Sequence, residues 1–167
     1  MKKIITVFLG IVLTAGIAAA EESSAMKLTS PEFENNSLIP KKFTCRGENV
    51  NPELVIKNIP EGARRLALIV DDPDAPSGNW SHWVVFNIQV VSRIEENSAP
   101  GIQGVNDFEK NRYVGPCPPL GTHRYVFKIY ALDTEFDLQE GIDKKTLENS
   151  MQGHILARAE LIGLFKK

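Results

Sequence analysis

The chain consists of short apolar runs separated by segments rich in proline, glycine, asparagine and aspartate. Apolar runs bounded by such turn residues are typical of β-strands. Residues 65–70 are almost continuously apolar, as expected for a strand that is buried on both faces. Residues 123–132 alternate so that His123, Tyr125 and Phe127 share one face. The pattern predicts strands at 54–59, 65–70, 80–88 and 123–132, and a final strand beginning at 155.

One short helix is predicted, over residues 144–152. Asp143 is a favourable N-cap, Leu147 and Met151 form an apolar i,i+4 pair, and Gly153 can end the helix. Many short strands with so little helix favour an all-β fold with minor α, namely an antiparallel Greek-key β-sandwich with one or two short helices. A doubly wound α/β fold does not fit, because too few helices separate the strands.

The N-terminus has the three parts of a secretory signal peptide. Two lysines precede an uncharged apolar stretch over 4–18, small residues follow, and charged residues begin at Glu21. A membrane anchor is the competing interpretation, but it requires roughly 20 apolar residues. We therefore predict a cleavable signal over 1–20 and one domain over 21–167, exported to a periplasm or secreted.

The charge distribution argues against polyanionic partners. The formal net charge is −2, and loss of the two N-terminal lysines with the signal would make it −4. No block or stripe of basic residues is present, so neither nucleic acid nor a broad anionic membrane surface is an expected partner. No stretch after the signal is apolar enough to predict a transmembrane segment in the mature protein.

Two cysteines, Cys45 and Cys117, remain after removal of the signal. An even number of cysteines in an oxidising compartment suggests a disulfide. A bridge would close a loop of about 70 residues and add roughly 4 kcal/mol of stability. Two partly buried free thiols are the other interpretation, and the sequence leaves both open.

Candidate binding groups cluster at predicted strand ends. Asp72 and Asp74 follow the strand at 65–70, His82 begins the next strand, and His123 and Tyr125 begin the strand after a rigid proline-rich loop. Imidazole N–H, phenol O–H and free loop amides are hydrogen-bond donors, and converging donors bind an oxyanion. A carboxylate such as Asp72 would fix the tautomer of an imidazole or stabilise its cation. The residue types predict a small pocket for a phosphate or carboxylate.

Two long segments carry a resemblance to a known family. Residues 72–76 (DPDAP) followed by 80–83 (WSHW), and residues 115–125 (GPCPPLGTHRY), resemble the two signatures of the phosphatidylethanolamine-binding proteins (PEBPs). The flanking residues 44–47 (TCRG) and 153–157 (GHILA) are similar to the bacterial branch, also called Raf kinase inhibitor-like proteins. The resemblance extends from about Lys27 to Phe165.

The resemblance implies a β-sandwich with a surface pocket for phosphate-type groups. It implies that Asp72 and His82 form one wall, His123 and Tyr125 the other, and that the amide near Cys117 is a donor. It also implies supporting positions for Asp74, Trp80 and Pro118 and an ion-pairing role for Arg124. The function that the resemblance implies is reversible binding of an anion similar to a phospholipid head group, or of a phosphorylated partner. No cofactor is implied. Regulation in the manner of a kinase inhibitor is one possible consequence of such binding.

Other interpretations of the same residues remain open. Asp72 and Asp74 could be turn formers, and the histidines could be ordinary structural residues. His154 has no partner in the signatures and is interpreted as structural. For the protein as a whole, an alternative function is that of an interaction or inhibitor scaffold that uses only the pocket rim.

A hydrolase is the alternative from another functional class. Ser81, His82 and Asp72 are the residue types of a catalytic triad, but neighbours on a strand point to opposite faces, so Ser81 and His82 should not meet. No Gly-x-Ser-x-Gly elbow is present. We therefore assign no catalytic residues. Two histidines and an aspartate could also bind a metal, but their spacing is not that of a local metal motif, and no metal is predicted.

Overall fold

A computed structural model describes residues 25–167. The predicted signal over 1–20 lies outside the described residues, so export stays a prediction. The strands are β1 (Lys27–Thr29), β2 (Ser37–Leu38), β3 (Leu54–Lys57), β4 (Arg65–Asp72), β5 (Trp80–Ile88), β6 (Arg93–Ile94), β7 (Ile102–Gln103), β8 (Thr122–Leu132) and β9 (Ile155–Lys166). The helix α1 spans Lys144–Met151, and Lys41–Phe43 forms a single 3-10 turn.

The strands form two sheets. The smaller has the order β1-β3-β6, and the larger has the order β2-β9-β8-β4-β5-β7. Their pairings are antiparallel except between β2 and β9, which are parallel. The predicted mostly-β fold with little helix is therefore confirmed, and the parallel pairing of β2 with β9 departs from an all-antiparallel arrangement.

The central strands of the larger sheet, β4 and β5, are buried on both faces. Apolar side chains on one face of β4, including Leu66 and Leu68, pack in the cluster that also holds Leu28 and Ile56 of the smaller sheet. The other face of β4 packs in a second cluster with Leu147 and Met151 of α1. Every residue of β4 after the first is buried, which explains the unbroken apolar run at residues 66–70.

The helix α1 forms as predicted. The side chain of Asp143 accepts a hydrogen bond from the Thr146 amide at 2.8 Å, which satisfies one of the free N–H groups of the first turn. Leu147 and Met151 are buried. Gly153 has a φ of +81°, the left-handed conformation that lets the chain turn directly into β9.

Two sequence predictions are refined by the structure. The sequence predicts only loop over residues 101–111, but Ile102–Gln103 pairs with β5 and forms an edge of the larger sheet. β9 pairs with β8 along its length, from Ile155 opposite Leu132 to Lys166 opposite Thr122. This long antiparallel pair explains the alternation at the C-terminal end of the sequence. No helix in residues 25–167 is long and apolar enough to cross a membrane.

Cys45 and Cys117 are joined by a disulfide, with a Cα–Cα distance of 5.5 Å. Of the two alternatives that the sequence left open, the structure contains the bridge. The bond connects the segment after the 3-10 turn to the proline-rich loop 115–121, which lies 72 residues further along the chain. It therefore fixes the position of a loop that lies next to the candidate site.

Candidate functional site

The end of β4 and the start of β8 bring a carboxylate and an imidazole together. His123 Nδ1 lies 2.7 Å from Asp72 Oδ2, and both side chains are almost fully buried. The other carboxylate oxygen of Asp72 accepts a hydrogen bond from the Asp74 amide at 2.9 Å. Since a carboxylate only accepts, His123 Nδ1 is the donor, and Nε2 is the nitrogen left for a ligand.

His82, near the start of β5, is held by the backbone of the loop that precedes β8. Its Nδ1 lies 2.6 Å from the carbonyl oxygen of Val114. The rings of Tyr125 and Phe108 meet the imidazole edge to face, at centroid distances of 5.1 and 5.0 Å. Burial lowers the pKa of His82, against the opposing influence of the Val114 carbonyl and of Asp72.

The hydroxyl of Tyr125 is the most unusual polar group of the site. Tyr125 is fully buried, and its oxygen has no hydrogen-bond partner of ordinary geometry in the described part of the chain. Its polar neighbours are the Asp72 carboxylate and the backbone of Cys117. Burial, with the nearby charge of Asp72, raises the pKa of Tyr125 well above its usual value, so the hydroxyl keeps its proton.

A cavity of about 160 Å³ opens beside these groups. Four of the residues singled out in the sequence line it, namely Asp72, Trp80, His82 and Cys117. His123 and Tyr125 are not on its wall but adjoin it through their contacts with Asp72 and His82. The sequence did not identify the remaining lining residues, which are Ala75, Pro76, Ser77, Phe108 and Pro119. Pro118, for which a supporting position was expected, is buried, and its neighbour Pro119 lines the cavity.

Phe108 is the most informative of the missed residues. It lies edge to face against both Trp80 and His82, so three aromatic rings form one wall of the cavity. Its loop is held by the buried side chain of Asn106, whose oxygen accepts from two loop amides and whose nitrogen donates to the carbonyl of His82. An aromatic residue in a polar loop was the only sequence signal for this role.

The loop 115–121 is fixed by contacts on its far side. The amide of Gly115 donates to the side chain of Asn49 at 2.7 Å, and the Cys45 amide donates to the carbonyl of Pro116. A Cβ atom at Gly115 would lie 2.3 Å from the carbonyl oxygen of Phe43, so only glycine allows this approach. Together with the disulfide, these contacts hold Cys117 at the cavity wall.

Asp74 has a different role from that of a pocket residue. Its carboxylate accepts from the backbone amide, Nε and Nη2 of Arg124, at 2.7–2.9 Å. The pair links the turn after β4 to the start of β8, and it agrees with the ion-pairing role expected for Arg124. The hydrogen bond from Arg124 is the largest cause that lowers the pKa of Asp74 to about 2.

We expect the substitution Asp74→Asn to lower the free energy of unfolding by about 1 kcal/mol or less at neutral pH, since the pair is exposed. The folded pKa is depressed, so this contribution is complete above the pKa of the unfolded state. It is lost as the pH falls from about 4 to about 2. Urea unfolding of both proteins over this range measures the difference, and a constant difference would contradict the expectation.

The residue types of a hydrolase are present but do not form a triad. The Ser81 hydroxyl accepts from the backbone amide of Asp107, whose carboxylate in turn accepts from the Ser81 amide. His82 instead bonds to the backbone of Val114. Among residues 25–167, no group of three or more His, Cys, Asp or Glu side chains has an arrangement that could hold a metal ion.

The family profile described as phosphatidylethanolamine-binding protein matches residues 29–166. A UPF0098 protein of Pyrococcus horikoshii is 41% identical over all of this chain and 91% of its own length. A UPF0098 protein of Methanothermobacter thermautotrophicus is 45% identical, covering 85% of this chain and 99% of its own.

Solved structures give the same assignment. A Chlamydia trachomatis protein described as a PEBP homologue has 43% identity and a TM-score of 0.84, over 87% of this chain and 99% of its own. Escherichia coli YbcL, described as a new member of the mammalian PEBP family, has 28% identity and a TM-score of 0.79, over 85% of this chain and 98% of its own. The resemblance of the two signatures is thereby confirmed, and the chain belongs to the phosphatidylethanolamine-binding protein family.

Proposed function

We propose that this protein is an exported binding protein that captures a phosphate- or carboxylate-bearing ligand in the cavity beside Asp72 and His82. The observation that carries the proposal is the buried Tyr125 hydroxyl, which has no hydrogen-bond partner of ordinary geometry in the described chain. An unpaired buried donor costs stability, so a donor left unpaired directly behind His82, which lines the cavity, supports a ligand that would complete its hydrogen bonding.

The groups around the hydroxyl fit an oxyanion. His123 is oriented by Asp72, which fixes its tautomer and can stabilise its protonated form. The loop that carries Cys117 is held in place by a disulfide and by backbone contacts, so its amide needs little reorganisation to meet a ligand. The cavity volume suits a small head group rather than a whole lipid.

Capture is expected to be reversible and non-covalent. Ser81, the residue type that could act as a nucleophile next to His82, is engaged with Asp107 instead. Binding and release of the ligand therefore involve no chemical step. A role in transport, sensing or inhibition would depend only on whether the cavity holds a ligand.

The rim of the cavity supports an added role in docking a protein partner. Leu120 is 79% exposed and follows Pro119, which lines the cavity. An exposed leucine next to an anion site would suit a phosphorylated segment of a partner, as a kinase-inhibitor-like regulator would require. A phosphoserine peptide therefore belongs among the test ligands.

Export is supported by the disulfide in addition to the predicted signal. Disulfides persist in oxidising compartments such as the periplasm and the extracellular space. Detection of the processed protein, beginning near Glu21, in the periplasm or the medium would establish it, and an unprocessed chain confined to the cytoplasm would overturn it.

Calorimetric titration with inorganic phosphate, phosphoethanolamine, acetate and a phosphoserine peptide tests the proposal. We expect saturable binding that His123→Ala abolishes and that Tyr125→Phe weakens about tenfold, the effect of one lost hydrogen bond. Because Tyr125→Phe removes an unpaired hydroxyl, it should also raise the free energy of unfolding of the free protein by about 1–3 kcal/mol.

His154→Ala is the matched control for His123→Ala. His154 also pairs with a carboxylate, that of Asp133 at 2.8 Å, but the pair is exposed and joins the residue after β8 to the residue before β9. It should leave ligand affinity unchanged. Absence of heat from all four ligands, in a folded sample, would overturn the proposal, as would equal loss of affinity in both histidine variants.

A further inference from the structure

A second cavity, of about 270 Å³, lies between the segments 48–51, 97–98 and 112–113. It shares no lining residue with the first cavity, which lies beside Asp72 and His82. Most of the side chains that line the second cavity are polar. A ligand of this cavity is therefore separate from the ligand of the proposed function, and neither depends on the other.

The walls of the second cavity are fixed by contacts within the protein. The buried side chain of Asn51 donates to the carbonyl of Glu95 and accepts from the Ser98 amide, which ties two loops together. Val50 and Tyr113 supply the apolar part of the lining, and both pack in the main core cluster. Walls that are already in place reduce the entropy lost on binding, so a small ligand can be held.

Two asparagine side chains of the lining retain unused hydrogen-bonding groups. The Asn49 oxygen accepts from the Gly115 amide at 2.7 Å, so the nitrogen of that side chain is left as a donor, and no group in residues 25–167 accepts from it. The side chain of Asn97 likewise has no hydrogen-bond partner within the described residues. Amide groups that line a cavity without partners are available to a polar ligand.

The second cavity also carries one positive and one negative side chain that do not pair. Arg112 and Glu48 both line it, yet neither forms an ion pair with the other or with any other group of residues 25–167. The guanidinium of Arg112 donates to the carbonyl of Tyr113 at 3.3 Å, which leaves most of its N–H groups for a ligand.

We propose that the second cavity binds a small zwitterion, namely a free α-amino acid with a short apolar side chain. Arg112 holds the carboxylate with the paired donors that guanidinium groups offer, and Glu48 accepts from the ammonium group. Val50 and Tyr113 contact the apolar side chain. A molecule with both charges spans two groups that lie too far apart to pair directly, whereas an ion of one sign satisfies only one of them.

Nuclear magnetic resonance titration of the intact protein with L-valine tests the proposal, because amide shifts report which cavity is occupied. We expect saturable shifts at residues 48–51, 97–98 and 112–113, with a dissociation constant of about 1 mM or below. N-acetylvaline keeps only the negative charge, and valinamide keeps only the positive one. Each should bind at least about threefold more weakly than valine, since one ion pair at the solvent boundary is lost. Glucose, a neutral polyol, should cause no shift there.

Two charge-neutralising substitutions assign a partner to each end of the ligand. Glu48→Gln should weaken the binding of valine but leave that of N-acetylvaline unchanged, because this probe has no ammonium group. Arg112→Gln should weaken the binding of valine but leave that of valinamide unchanged, because this probe has no carboxylate. Glu160→Gln and Arg158→Gln are the matched controls. Both residues are exposed on β9, outside the cavity, so neither substitution should change any of these affinities.

Several results would overturn the proposal. Absence of shifts at the second cavity up to about 20 mM valine would mean that the cavity does not bind the ligand. Equal affinity for valine and its two derivatives would contradict recognition of a zwitterion. Binding of glucose in preference to valine would contradict it as well, and would indicate a carbohydrate site. Phosphate is titrated separately, and if it binds nowhere, the proposed function fails while this inference stands.

Discussion

Replacing Cys45 and Cys117 together by serine is expected to lower the free energy of unfolding by about 4 kcal/mol. The bridge connects residues 72 apart in the sequence, so it removes a large number of conformations from the unfolded chain. The hydrogen bonds from the Gly115 amide to Asn49 and from the Cys45 amide to Pro116 exist only in the folded protein, so they do not replace this constraint on the unfolded chain.

The same change should weaken ligand binding. Cys117 lines the cavity, and the loop that carries it is positioned by the bridge. Urea unfolding and phosphate titration of the double variant measure the two effects. The native protein in a strong reductant should reproduce the stability of the variant, because both lack the same bond. A loss below about 1 kcal/mol in both cases would contradict the entropic argument.

Replacing Asp71 by alanine is expected to lower the free energy of unfolding by about 3 kcal/mol. Asp71 is fully buried on the face of β4 opposite Asp72, and its carboxylate accepts from Lys128 at 2.8 Å and Lys144 at 2.9 Å. Burial is the largest single influence on the pKa of Lys128 and acts to lower it, but the hydrogen bond and the charge of Asp71, with smaller contributions from Tyr130 and Glu160, together raise the pKa. Without Asp71, two ammonium groups with limited access to water lose their shared partner.

The substitution Asp71→Ala should also lower the affinity of the cavity for its ligand. Asp71 accepts from the side chain of Asn79, and Lys144 donates to the Asn79 carbonyl, so the cluster fixes the end of the segment 75–80 that lines the site. We expect phosphate affinity to fall severalfold although Asp71 does not touch the cavity.

The matched control for Asp71→Ala is Lys144→Met. It leaves Asp71 paired with Lys128 and preserves the apolar part of the lysine side chain, so its effect on unfolding should be about 1 kcal/mol. Urea unfolding at neutral pH compares the two variants. An equal loss in both would mean that the cluster acts through packing of the lysine rather than through the buried carboxylate.

The local elements were predictable because each has a periodic or capping signal in adjacent residues. The unbroken apolar run of β4 reflects burial on both faces, and the alternation along β8 is sufficient to place His123 and Tyr125 on one face. Asp143 and Gly153 bounded α1 correctly, since capping depends on residues within a few positions. The two signatures likewise indicated the family, because they are contiguous.

Contacts between distant segments were not predictable in this way. The pairing of the Asp74 carboxylate with Arg124 has no local signal, because the direction of the carboxylate depends on how the turn after β4 meets β8. Phe108 reaches the cavity only because Asn106 folds its loop back onto β5. The parallel pairing of β2 with β9 joins strands that are far apart in the chain, and no local period encodes it.

The sequence by itself determined the five longest strands, the helix, the family and the residue types of the site, since these depend on neighbouring positions. Only the tertiary structure decided that Cys45 is bonded to Cys117, that the Tyr125 hydroxyl is buried without a hydrogen-bond partner of ordinary geometry in the described chain, and that His82 directs Nδ1 to a carbonyl. Those facts depend on distances and directions between segments that packing sets. The unpaired hydroxyl is also the observation that supports the proposed ligand class.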